Sequence, residues 1–210
     1  MDGLKGAARF LRNVNWRVVA MWILAAWPGY LLAMRTAECA VNVPFMDDWQ
    51  FIPLMGKAVD GTLTFGDLFA PHDEHRLLLP RIIILLSVLF SHKPYEIQCM
   101  ISVVVVAIAS IALLRIVTKS LGFSIQGAVV WGLCNLAIFS PIQYHNWLWP
   151  MQFAYLLPFM FMTVAAAIWL SSLPRSWRLT LCVLCGLMAS FSFHPWAPDM
   201  ADDAAAALAT

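Results

Sequence analysis

Two short polar stretches interrupt an otherwise apolar chain and hold most of its acid–base and anion-binding side chains. Pro44-Phe45-Met46-Asp47-Asp48-Trp49 sets two carboxylates side by side, and His72-Asp73-Glu74-His75-Arg76 adds imidazoles, carboxylates and a guanidinium. Eight of the 12 acidic residues fall between Glu38 and Glu96. Adjacent carboxylates suit general-base work. Apolar neighbours such as Phe45, Met46 and Trp49 raise a carboxylate pKa, and a second negative charge raises one of the pair further. Asp47 and Asp48 equally suit the capping of a helix that starts near Trp49, whose positive end favours acids. The two roles are compatible.

The second stretch is a poor metal motif. His72 and His75 lie three apart, outside the His-Glu-x-x-His pattern, and a further ligand would have to come from elsewhere. His75, Arg76 and Arg81 better suit an anionic phosphate at a bilayer surface, gripped by the planar arginine fork and a nearby helix N-terminus. The alternative is a solvated helix start followed by a snorkelling arginine. His145-Asn146-Trp147-Leu148-Trp149-Pro150 reads as an aromatic anchor at a membrane edge. Glu74, Asn146, Trp147 and Gln152 are candidates for lining a cavity shared with the acidic segment. Gln126 and Asn135 lie within an apolar run and suit helix packing. Cys182-x-x-Cys185 sits in a hydrophobic run and reads as small buried residues rather than a redox or zinc pair.

The elements that position these residues are helices in a membrane. The chain is 61% hydrophobic and 12% charged, with a mean hydropathy of +0.75, far from a soluble domain. A net charge of +1 gives no footprint for nucleic acid. A span needs about 20 apolar residues, and the candidates are 18–34, 97–117, 123–140, 151–173 and 179–193, the first reading as an uncleaved signal anchor, with Ala37 to Ala40 leaving cleavage open. Leu77–Phe90 is ambiguous, because Pro80 and Arg81 interrupt it. If it lies along the interface, Lys5, Arg9, Arg12, Arg17, Arg115, Lys119, Arg175 and Arg178 share one side. That is eight of the 13 basic residues, as the positive-inside rule asks. If it spans, every later loop flips and the bias is lost.

The expected architecture is therefore all-α, a polytopic helical membrane protein with about five transmembrane helices. Residues 1–17 are cytoplasmic, and residues 35–96 form a large external loop of amphipathic helices around Gln50–Val59 and Glu74–Phe90, separated by a Gly61-Thr62 turn. Residues 194–210 change to Pro-Trp-Ala-Pro-Asp-Met and an alanine-rich end, an atypical tail that reads as truncation or frameshift of a longer polytopic chain.

From about Trp16 to Leu173 the order of motifs resembles the N-terminal half of bacterial polytopic glycosyltransferases of the C superfamily. These are relatives of protein O-mannosyltransferases and lipid A aminoarabinose transferases. The resemblance is carried by the first span, Phe45-Met46-Asp47-Asp48-Trp49, the run from His72 to Arg81, and Tyr144-His145-Asn146-Trp147-Leu148-Trp149. It implies residence in the bacterial inner membrane with the first loop periplasmic. The implied donor is a polyprenyl-phosphate-linked sugar, and the implied acceptor a hydroxyl on a glycan, lipid or protein. By that resemblance the acidic pair supplies the base, with Asp47 favoured. Arg76 and Arg81 would contact the donor phosphate, with His75 assisting. Some members use a divalent metal and others none, so a metal stays open. Members carry around ten or more spans, and the shorter chain here leaves the donor groove incomplete. The competing expectation is a non-enzymatic assembly or transport subunit whose loop carboxylates only cap helices; transport is disfavoured by the scarcity of ionisable residues in the spans.

Overall fold

The computed structural model describes residues 15–72, 75–192 and 194–195. It is an all-α bundle, and the described residues hold four helical stretches long and apolar enough to cross a membrane: Trp16–Cys39, Pro94–Leu121, Ile125–Leu148 and Pro150–Trp169. The apolar run of the first ends at Met34, but helix α1 continues through Arg35 to Cys39, where Arg35 and Glu38 pair across one turn at 2.9 Å. After the loop come α5 (Pro94–Leu121), α6 (Ile125–Ile138), α7 (Tyr144–Leu148), α8 (Phe153–Trp169) and α9 (Arg175–Ser192). Helix α9 covers the expected fifth span. It is 18 residues long with Arg175 and Arg178 in its first turn, and it is not among the four apolar crossings.

Small residues let the helices approach. A Cβ on Gly132 would sit 3.2 Å from the Ala25 Cβ, and one on Gly29 would meet the Phe139 ring at 3.1 Å. Such close contact replaces the hydrophobic drive that lipid removes. Polar ties fix the register. Asn135 Nδ2 donates to the Ala25 carbonyl at 2.8 Å, its Oδ1 accepts from Ser110 Oγ at 2.7 Å, and Trp131 Nε1 donates to the Ser110 carbonyl at 3.0 Å. One side chain thus joins α1, α5 and α6. Gln126, by contrast, is exposed.

Residues 40–93 fold against one end of this bundle. A 3-10 helix (Met46–Phe51) runs into α2 (Ile52–Val59), Gly61 turns the chain at a φ of 69°, and α3 (Phe65–Phe69) follows. Thr64 caps α3 by accepting from the Asp67 amide, while the Asp67 carboxylate accepts from the Thr64 amide at 2.8 Å. A two-residue strand, β1 (His75–Arg76), then pairs antiparallel with β2 (His194–Pro195) beyond α9, and α4 (Leu78–Phe90) leads back to α5. Thirteen residues make α4 too short to cross. Asn42 closes the segment: its Nδ2 donates to the His92 carbonyl at 3.4 Å and its Oδ1 accepts from the Tyr95 amide at 3.1 Å. The loop therefore leaves and re-enters at the same end. Phe51, Leu54, Ile84 and Leu85 from the loop pack with Val105, Phe153 and Leu157 from α5 and α8 in one apolar cluster, so the loop is part of the core and not an appendage.

Residues 1–14, 73–74, 193 and 196–210, together with the side chains of 75–76 and 194–195, lie outside the described residues. The cytoplasmic N-terminus, the atypical tail and the cavity role of Glu74 therefore fall outside the described residues. Of His75 and Arg76, only the backbone pairing with β2 enters the argument.

Candidate active site

The acidic pair sits on the 3-10 helix, and the chain enters it through Met46 at a φ of 48°. Among the described residues it is the single non-glycine with positive φ, a conformation that costs about 1 kcal/mol or more and that packing must hold in place. The turn it makes points Asp48 inward and leaves Asp47 half-buried. Asp48 is 1% exposed. Its Oδ2 accepts from the Phe45 amide at 2.9 Å, so the capping role is present. Its Oδ1 is buried without a hydrogen-bond partner.

Desolvation by burial is the main cause that lifts the Asp48 pKa from 3.8 to about 6. The backbone amides of Phe45 and Met151 oppose the rise, and the neighbouring Asp47 charge adds to it. Met151 helps from outside hydrogen-bond geometry, since Oδ1 meets no donor at bonding distance. A carboxylate that titrates near neutrality in an apolar wall has the proton affinity of a general base or acid. It is also sealed, so the half-buried Asp47 is the more accessible member of the pair.

Facing the acidic turn is a second one, the 3-10 helix Pro150–Gln152. Phe45 meets Trp149 edge-on, with ring centroids 6.0 Å apart. Gln152 Nε2 donates to Asn146 Oδ1 at 3.0 Å, and Asn146 Nδ2 donates to Gln143 Oε1 at 2.9 Å. This amide chain brings Asn146 and Gln152 to the side of the acidic pair. Two buried polar atoms there have no partner, Gln152 Oε1 and Trp149 Nε1. Trp147 goes elsewhere. It is buried against Leu32, Val103 and Phe139, with Nε1 donating to the Ser140 carbonyl at 3.0 Å, a packing role.

Arg81 is committed to the backbone. Its Nη1 donates to the carbonyls of Asp67 (3.0 Å), Leu68 (3.2 Å) and Ala70, and its Nη2 to that of Pro71 (3.2 Å). The guanidinium clamps the turn that leaves α3 through Nη1 and Nη2, while its Nε is buried without a hydrogen-bond partner. Asp67 beside it pairs with Lys57, which together with the Thr64 hydroxyl and amide holds its carboxyl well below the usual carboxylate range. The clamped turn reaches the acidic helix through His72, whose ring stacks on Phe51 at 4.8 Å. Asn42 is the positioning residue that motif reading missed, while His72, weighed there as a metal ligand, packs against Phe51. A lone polar residue soon after a span, as at Asn42, was the available signal.

Among the described residues no three His, Cys, Asp or Glu side chains converge as a metal set. Comparison with protein-family models, with curated proteins and with solved structures gave no match, so the site is read on this chain's own geometry.

Proposed function

We propose that the chain is a membrane glycosyltransferase, or a portion of one, that moves a sugar from a polyprenyl-phosphate donor to an acceptor hydroxyl. The observation that carries the reading is the acidic pair: a half-buried Asp47 held on a strained turn, against a sealed Asp48 with a pKa of about 6. Asp47 takes the acceptor proton, the acceptor oxygen attacks the anomeric carbon, and the bond from that carbon to the phosphate oxygen breaks with inversion. Asp48 holds the turn and keeps negative charge beside the base. A site at one end of a membrane-spanning bundle also suits a substrate that is itself anchored in lipid.

The test is sugar transfer from a radiolabelled polyprenyl-phosphate donor in membranes, together with photo-crosslinking of a donor analogue. Wild-type protein is expected to crosslink and transfer, and Asp47→Asn to crosslink without transfer. Inserted protein that neither crosslinks nor transfers would sink the proposal.

A second reading has a specific observation behind it. Asp48 caps a helix and Arg81 clamps a turn, duties that suffice for a non-enzymatic membrane assembly subunit. Loss of folding on changing Arg81 to Ala, with no sugar transfer by the intact wild-type protein, would favour it.

A further inference from the structure

Along the outer face of α1 runs an apolar groove of about 440 Å³, walled by Trp27, Pro28, Leu31, Leu136 and Phe139 and ending at Arg35. A smaller recess of about 100 Å³ shares Leu32, Arg35 and Pro141 with it and adds Thr36 and Tyr144. The two adjoin along the helix, the larger one mostly apolar and the smaller one lined by Arg35 and Thr36. From Trp27 to Arg35 is about 12 Å of helix rise, the scale of the upper half of an acyl chain. Walls of this kind take a hydrocarbon chain, and the groove lies in the range of ligand-sized cavities.

The polar end is built for a particular headgroup. Thr36 is 1% exposed, lines the recess, and its Oγ1 has no hydrogen-bond partner. A helical threonine would ordinarily donate to a carbonyl one turn back, and this hydroxyl, beside the recess, makes no such bond. Arg35 and Glu38 stand one turn apart, both exposed, joined by a single contact between Nη1 and Oε2. Such an exposed pair is worth little by itself. It leaves the rest of the guanidinium fork to bind phosphate and the second carboxylate oxygen to accept from an ammonium. A lone arginine would favour an anionic lipid, whereas an arginine with a carboxylate beside it repels extra negative charge and complements a zwitterion.

We infer that this groove, with the recess beside it, is a binding site for an amine-bearing zwitterionic phospholipid of the phosphatidylethanolamine type. One acyl chain lies along Trp27, Pro28 and Leu31, the phosphate sits on Arg35 and Thr36, and the ammonium sits on Glu38. The site stands apart from the acidic pair and does not depend on the transferase reading.

Delipidated protein in detergent is titrated with phosphatidylethanolamine, phosphatidylcholine, phosphatidylglycerol and diacylglycerol of the same chains. Bound lipid is counted by native mass spectrometry. One saturable phosphatidylethanolamine is expected, held about ten-fold more tightly than phosphatidylcholine, whose quaternary amine has no N–H to donate. Glu38→Gln is expected to erase the preference over phosphatidylcholine while keeping that over diacylglycerol. Arg35→Ala is expected to erase both, and Thr36→Val to weaken every phospholipid alike. Arg35 and Glu38 are exposed, so these changes leave the fold in place, which melting curves check. Equal affinity for all four lipids, a phosphatidylglycerol preference, or indifference to Glu38→Gln overturns the inference.

Discussion

Asp48 is the residue where burial and charge conflict most sharply. The folded chain keeps its proton up to about pH 6, whereas an unfolded chain releases it near 3.8. Between those values the native state holds the extra proton, so stability falls as pH rises through the window and is highest below it. The full difference is on the order of 3 kcal/mol at neutral pH. An asparagine keeps the oxygen that accepts from the Phe45 amide and removes the ionised form. Asp48→Asn is therefore expected to raise the melting temperature in detergent at pH 7.5 and to leave it unchanged near pH 4. Melting curves from pH 4 to 8 check this; a destabilised variant at pH 7.5 would mean that the carboxylate has a partner after all. The positive φ of Met46 is likewise set by packing of the turn and not by local preference.

At the scale of elements, packing in lipid depends on how near two backbones come and on which polar atoms meet once they do. Helices α1 and α6 show both, since Gly132 touches Ala25 and Asn135 binds the Ala25 carbonyl. Gly132→Leu is expected to push the helices apart, strain the Asn135 bond, and lower stability by about 1–3 kcal/mol. Gly186→Leu supplies the contrast: nothing lies within 4 Å of a Cβ there, and the change is expected to be silent. Thermal melts of the two variants check the pair, and equal losses would show that leucine bulk, not the α1–α6 contact, is responsible. The loop elements work differently, because α3 is only five residues long and is held by the Thr64–Asp67 cap and the Arg81 clamp. Hydropathy carries no trace of such an element.

Over the whole molecule, the membrane class and the sites of the long helices were legible because long apolar runs leave little alternative to a spanning helix. Helix ends were less legible: α1 passes Arg35 and runs on to Cys39, beyond the point where the apolar run stops. In the site, the acidic pair stood out by composition, but which aspartate is sealed depends on a turn at Met46 that no motif encodes. Arg81 stood out by its charge, but the four carbonyls that Nη1 and Nη2 meet come from a turn that no motif marks. Topology is where the chain as a whole can be tested. Asn42 ties the start of the loop to residues 92–95, which requires residues 60 and 142 to share one face of the membrane and residues 119 and 172 to share the other. With the five native cysteines replaced, Asp60→Cys and Ile142→Cys are expected to react together with an impermeant maleimide applied to one face of sealed vesicles. Lys119→Cys and Ser172→Cys react only from the opposite face. Had α4 crossed, residues 60 and 142 would label from opposite faces, and the closed loop that presents the acidic pair would not exist.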